Sequence, residues 1–174
     1  PWDKLLEREI KPFMRVIRSR VDMIMTAHIL NRSLDPKYPA TLSATTIQDR
    51  LRKELRYQRL VITDDMQMDA VVKNFGEEEM VALAINAGCD LLLYRHEDRG
   101  RRAMEAAFKF LAEGRITAET VEAAFARIKE VKQRVLHPYK PPPIEELGII
   151  GCEEHQEIFR MVAQKRKPTG PDSY

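Results

Sequence analysis

Two carboxylates stand side by side after the short apolar run Leu60-Val61-Ile62-Thr63: Asp64 and Asp65, followed by Met66. A carboxylate at a strand end serves as nucleophile, general base or metal ligand. It serves equally well as a cap for the following helix, and spacing alone leaves both readings open. His28, after Val21 to Thr26, has the same ambiguity: it orients a ligand or bonds a backbone carbonyl in its loop. His96, between Arg95 and Glu97, reads as an exposed loop residue. Met66 and Met68 read as packing or pocket-wall residues. Cys89 and Cys152 are far apart and form neither a CxxC unit nor a zinc spacing with the four histidines. Two buried free thiols are expected.

The apolar period alternates along the chain between helix and strand. Trp2, Leu6, Ile10, Phe13 and Ile17 mark a helix face that Pro12 interrupts or kinks. Val21 to Thr26 reads as a buried strand. Ser43 caps a helix whose face is Ile47, Leu51 and Leu55. Leu60 to Thr63 is a second strand. Glu77, Glu78 and Glu79 suit the first turn of a helix that ends near Gly88, and Leu91 to Tyr94 is a third strand. Met104, Ala107, Phe108 and Leu111 mark a helix stopped by Gly114. Thr117 caps the next, which carries Val121, Ala124, Ile128, Val131 and Val135. Residues 137–143 hold four prolines and read as an extended linker. A last helix is expected over about Glu153 to Lys165, with a frayed end from Pro168 to Tyr174. Short continuous strands, each followed by a helix, imply an α/β fold with a parallel sheet covered by helices. Three strands suit either a small open sandwich or part of a barrel, since a complete eight-stranded barrel takes about 250 residues.

Composition narrows the partners. The chain has 174 residues, 44% hydrophobic and 32% charged, which is ordinary for a globular domain and excludes a disordered chain. With 29 basic and 27 acidic residues the net charge is only +2, which argues against nucleic acid as a partner. Lys165-Arg166-Lys167 reads as a solvated basic cluster. No apolar run is long enough to span a membrane. The opening Pro1-Trp2-Asp3-Lys4 shows no leader pattern, and the absence of an initiator Met suggests an upstream piece.

Several ordered motifs resemble family 3 glycoside hydrolases, most of all their bacterial β-N-acetylhexosaminidase branch. They are Met25-Thr26-Ala27-His28-Ile29, Pro39-Ala40-Thr41-Leu42-Ser43 and Leu60 through Met68. Ala87-Gly88-Cys89-Asp90-Leu91-Leu92-Leu93, Gly114-Arg115-Ile116-Thr117, Ala126-Arg127-Ile128 and Lys132 follow in order. The similarity runs from about Trp2 to Leu136. It implies a partial TIM-like (β/α) barrel, its C-terminal half, over residues 1–136, with residues 137–174 as linker, terminal helix and tail. The motif [ST]-Asp-x-x-x-Met then makes Asp64 the catalytic nucleophile, with Asp65 at a variable position. His28 lies by the pocket after strand six, and Met68 lines the sugar site. The implied reaction is retaining hydrolysis of terminal β-linked N-acetylglucosamine from a cell-wall-type glycan, with no metal or organic cofactor.

The departures from the family pattern are specific. The segments carrying its Asp–His acid/base loop, Lys-His pair and sugar-holding Arg do not occur in the 174 residues. Arginine stands at 20, 56 and 59, where the family usually has glycine, and two of these positions are helix-to-strand turns that favour left-handed φ. The expectation is a chain inactive alone that associates with a missing N-terminal half or with itself. The alternatives are a non-catalytic barrel fragment or subunit and a β-glucosidase of the same family. An unrelated phosphate-binding α/β module is disfavoured by the lack of a glycine-rich loop.

Overall fold

The computed structural model describes residues 1–164; the expected tail, its basic cluster and Lys165 lie outside them. It divides into two units, Pro1–Val135 and Leu136–Tyr174. The first opens with two helices, α1 (Trp2–Glu7) and α2 (Lys11–Arg18), rather than one kinked helix. Pro12 sits in the first turn of α2, where a missing N–H costs nothing. Strand β1 (Met23–Met25) follows, then β2 (Leu60–Asp65), the short helix α3 (Asp69–Val72), α4 (Glu77–Ala87), β3 (Leu91–Leu93), α5 (Glu97–Ala112) and α6 (Ala118–Leu136). The strands are parallel in the order β1-β2-β3, with Met25 opposite Ile62 and Ile62 opposite Leu91. Helices join consecutive strands, so these are successive units of a (β/α) barrel.

The link from β1 to β2 departs from the expected α-helix. Thr45–Glu54 is wound as a π-helix, closed by Leu55 N–H donating to Arg50 C=O at 2.9 Å. Ser43 caps it as expected, its hydroxyl oxygen accepting from Thr46 N–H at 3.1 Å. Because bonds run i to i+5, Ile47 and Arg52 share the buried face, while Leu51 and Leu55 are only half-buried. The α-helical face read from the sequence is therefore rotated, and an arginine enters the core.

The stop signals act as their residues dictate. Gly88 ends α4 at φ 106°, and a Cβ there would meet Gln48 Nε2 at 2.6 Å. Gly114 lies at φ 71° after α5, and Arg115 N–H returns to Phe110 C=O at 2.8 Å. Thr117 caps α6 through Thr120 N–H at 3.3 Å. Arg20 and Arg56 adopt φ of 58° and 57°, the left-handed region that favours glycine, whereas Arg59 does not and pairs with Asp22.

The two faces of the sheet differ. Val61 and Thr63 of β2 are fully buried under the helices, with Ile24, Ile47, Met80 and Ala84 in the same core. On the opposite face Met23, Met25 and Leu93 are 39%, 52% and 38% exposed. A parallel sheet is ordinarily covered on both faces, so this inner face is an apolar surface without a covering layer among the described residues. Cys89 is buried, and burial pushes its thiol pKa up to about 12. Cys152 is free but only partly buried, because it stands before the N-terminus of the exposed helix α7 (Glu153–Ala163), not in a core. In the second unit a 3₁₀ turn, Ile144–Ile149, follows the Pro-rich stretch, and α7 begins at the expected Glu153. No helix among the described residues is long and apolar enough to cross a membrane.

Candidate functional site

The carboxyl end of β2 carries the candidate chemistry. The strand continues through Asp65, so Asp64 lies inside its last turn of pleat and not beyond it. Pairing with β3 slips there: the register passes from Ile62–Leu91 to Asp65–Leu93. Leu93 N–H donates to the Thr63 hydroxyl oxygen at 2.9 Å, and Met66 N–H donates to Leu93 C=O at 2.9 Å. Such an irregularity re-aims a side chain at the end of a ladder. Asp64 Oδ1 accepts from Asp65 N–H at 2.8 Å, and no hydrogen bond reaches Oδ2 from any described residue.

The structure separates the roles of the two neighbouring carboxylates. Asp65 Oδ1 accepts from Gln67 N–H at 3.0 Å and Oδ2 from an Arg95 guanidinium nitrogen at 2.9 Å. Partial burial works to raise its pKa, but the Gln67 N–H and the Arg95 charge outweigh it and hold the carboxyl below its ordinary value. Asp65 thus closes the turn onto Gln67 and does not cap α3, whose N-cap position is Met68 without a side-chain bond. Asp64 keeps an oxygen available for chemistry.

His28 reaches this strand end from the loop after β1. Its Nε2 donates to Asp65 C=O at 3.0 Å, and its Nδ1 lies 2.9 Å from Thr41 Oγ1. Both ring nitrogens are therefore engaged by protein: His28 bonds a backbone carbonyl, one of the two roles its position allowed, though that of Asp65 on β2 and not one in its own loop. Asp35 shapes the same loop. It accepts from Lys37 and Tyr38 N–H at 2.9 Å each and from the Ser43 hydroxyl at 2.7 Å. Burial opposes these bonds, yet they hold the Asp35 carboxyl below its ordinary pKa. Met66 is fully buried and Met68 is 40% exposed, so one packs and the other stays available to a ligand. His96 is exposed, as its neighbours suggested.

Two cavities among the described residues leave Asp64 out of their walls. The larger, about 650 Å³, runs between α4 and α5 and is walled by Glu77, Glu78 and Glu79 against Arg99, Lys109 and Arg115. These side chains pair with one another across it, and none of Asp64, His28 or Met68 lines it. The smaller, about 130 Å³, is an apolar groove beside β1 lined by Trp2, Phe13, Met25 and Leu51. Asp64 opens instead on the exposed inner face of the sheet. No group of three or more metal-ligating side chains occurs among the described residues.

At the opposite, N-terminal end of the strands sits a cluster that the sequence reading missed. Asp90 is fully buried. Its Oδ2 accepts from Arg52 at 2.8 Å and from Val61 N–H at 2.7 Å, and its Oδ1 accepts from Arg127 at 2.8 Å. Arg52 also donates to Gly88 C=O at 2.7 Å and Arg59 C=O at 3.1 Å. In barrels this end bears on stability and the other on catalysis.

Comparison with known proteins gives a consistent family. Residues 1–131 match the glycosyl hydrolase family 3 N-terminal domain. An uncharacterized secreted glycosyl hydrolase of Arthroderma benhamiae is 33% identical over 127 residues, covering 71% of this chain and 36% of that protein. A β-hexosaminidase of Haemophilus influenzae is 37% identical over 101 residues, covering 56% and 28%. The β-N-acetylglucosaminidase of Thermotoga maritima superposes with TM-score 0.71 at 36% identity, over 75% of this chain and 29% of that one. A family 3 β-N-acetylglucosaminidase from Paenibacillus superposes with TM-score 0.80 at 31% identity, over 97% and 33%. The chain spans about a third of the length of these relatives.

Proposed function

From a chain that belongs to glycosyl hydrolase family 3, we propose the nucleophile-bearing part of a retaining hydrolase that removes terminal β-linked N-acetylglucosamine from cell-wall-type glycans. The observation that carries the proposal is the state of Asp64: a carboxylate at the carboxyl end of the middle strand, one oxygen held by Asp65 N–H and the other without a partner among the described residues. Asp64 Oδ2 attacks the anomeric carbon and the glycosidic C–O bond breaks, with the leaving oxygen protonated by a general acid. The same group, now a base, takes a proton from the water that releases the sugar. Met68 and the ring of His28 border the sugar.

The general acid comes from outside the described residues. Near the strand ends, Asp65 is bound to Arg95, His28 has both nitrogens engaged, and His96 is an exposed loop residue. The substrate assignment draws on the relatives named β-hexosaminidase and β-N-acetylglucosaminidase.

The test is a chimera in which residues 1–131 replace the matching segment of the Thermotoga maritima enzyme. It should hydrolyse an aryl β-N-acetylglucosaminide, and Asp64→Asn should abolish turnover while the chimera stays folded. An activated fluorosugar should leave its sugar on Asp64 in peptide mass spectra. Labelling of Asp65, or undiminished turnover in the Asn variant, overturns the assignment.

A further inference from the structure

Every polar group of Asp65 is bonded. Its carboxylate holds Gln67 N–H and Arg95, its carbonyl accepts from Met68 N–H at 3.0 Å and from His28 Nε2, and its N–H donates to Asp64 Oδ1. Of these bonds, the last touches the candidate nucleophile and the others fix the residue that makes it. We infer that His28, backed by Thr41 and Thr26, is a positioning residue that holds Asp65 so that its N–H orients the Asp64 carboxylate and leaves Oδ2 as the attacking oxygen.

The direction of each bond in this relay follows from chemistry. The Asp65 carbonyl only accepts, so Nε2 carries the proton. A neutral ring then has its lone pair on Nδ1, which accepts from the Thr41 hydroxyl. Thr41 Oγ1, its proton so committed, accepts from Thr26 Oγ1–H at 2.9 Å. Thr41 is fully buried and lies in the 3₁₀ turn Ala40–Leu42, so the relay is anchored in the core, not in a mobile side chain. Thr26 continues β1, its N–H donating to Ile62 C=O at 2.9 Å. The two neighbouring strands are thus tied across their carboxyl ends through one imidazole. A second-layer partner of this kind holds a reacting group at the angle its chemistry needs.

The functional consequence rests on the reading of Asp64 as nucleophile, but the relay itself is measurable without substrate. In the full 174-residue chain, residue-resolved amide hydrogen exchange by NMR reports the Asp65 N–H directly. The Val61 N–H, bound to Asp90 at the other end of β2, serves as internal control. His28→Ala and Thr41→Val should each speed exchange at Asp65 by about fivefold or more, the loss of one net hydrogen bond, with Val61 unchanged. Thr41→Ser, which keeps the hydroxyl, should restore the native rate. The ¹⁵N spectrum of His28 should show protonation at Nε2 in the native chain and a tautomer mixture in Thr41→Val. Unchanged Asp65 exchange in both deletion variants overturns the inference. Equal acceleration at Asp65 and Val61 in His28→Ala also overturns it, since His28 would then support the fold as a whole. Failure of sugar labelling at Asp64 with the relay intact would remove the proposed function and not the relay.

Discussion

Replacing Asp90 by alanine removes the acceptor on which Arg52, Arg127 and the Val61 N–H converge. The cost is set by what remains behind. Arg52 is 7% exposed and keeps only the Gly88 and Arg59 carbonyls, so its charge stays buried without a counterion. Breaking a buried pair from one side costs about 3–5 kcal/mol. Arg127 is 24% exposed and turns to water, so its share is small. The expected loss is therefore about 4 kcal/mol, much of a total stability of roughly 5–15 kcal/mol. In urea, with a slope of about 2 kcal/mol per molar, the midpoint should fall by about 2 M. Arg127→Ala leaves Oδ1 of the buried Asp90 carboxylate unpaired at about 1–3 kcal/mol and should shift it by about 0.5–1.5 M. Asp90→Asn, which retains an acceptor for Val61 N–H, should fall between them. An Asp90→Ala midpoint within about 0.5 M of the native one would refute this reasoning, because Arg52 would then not need its partner.

Arg56→Gly should stabilise the chain by about 0.5–1 kcal/mol, left-handed strain relieved less the entropy a glycine adds to the unfolded state; Arg59→Gly, which loses the Asp22 contact, should not, and thermal melts distinguish them. Asp35 and Asp65 have folded pKa values below the unfolded one, so their contribution is complete above the unfolded value near 3.8 and is lost as pH falls through the folded values. Urea midpoints should hold level from pH 7 to about 5 and drop below about 4, with Asp35→Asn flattening the drop; a loss beginning near pH 6 would point to histidine instead. The isolated chain should associate through its apolar inner face and show no turnover on an aryl β-N-acetylglucosaminide; size exclusion showing an active monomer, at about 1 per second or faster, contradicts this.

What the sequence disclosed depended on how local each signal was. Continuous apolar runs marked all three strands, and Gly88 and Gly114 marked two helix ends, because both signals reside in a few adjacent residues. The glycine expected at 20, 56 and 59 points to left-handed φ at two of these positions, and the structure shows which: Arg20 and Arg56, not Arg59. The Asp90 cluster escaped because its partners lie 38 and 37 residues away. Arg52 was further hidden by the π-helix, which rotates the inward face away from the 3.6-residue period. The relay through Thr26, Thr41 and His28 was likewise invisible: its residues sat in quoted motifs, but no spacing rule says which hydroxyl meets which ring nitrogen. Resemblance implies Asp64 as nucleophile and puts Asp65 at a variable position, but the hydrogen bonds that tell the two carboxylates apart are seen only in the fold.

Asp90 and Asp64 show how one scaffold can give opposite settings to the same side chain. Asp90, before β3, is saturated by two arginines and a backbone N–H. A carboxylate so compensated has no lone pair free for a substrate, and its loss is felt as stability. Asp64, at the other end of β2, is held by a single N–H and keeps one oxygen unbound by any described residue. That arrangement contributes little to folding but leaves an oxygen open for the attack proposed above. The strained arginines lie at the Asp90 end: Arg20 is two residues before Asp22, and Arg56 is three before Arg59. Strain there draws on stability without reaching the carboxyl ends of the strands, because the bonds around Asp64 run through β3 and His28 instead. Drift at positions 20 and 56 is therefore compatible with an intact chemical end. If the Asp64 chimera is active, Arg20→Gly and Arg56→Gly within it should raise its melting temperature and leave its kcat within about twofold, because neither change reaches the His28 relay. A kcat that changed tenfold in either variant would mean the two ends of the barrel are coupled, and the division of labour between Asp90 and Asp64 would fail.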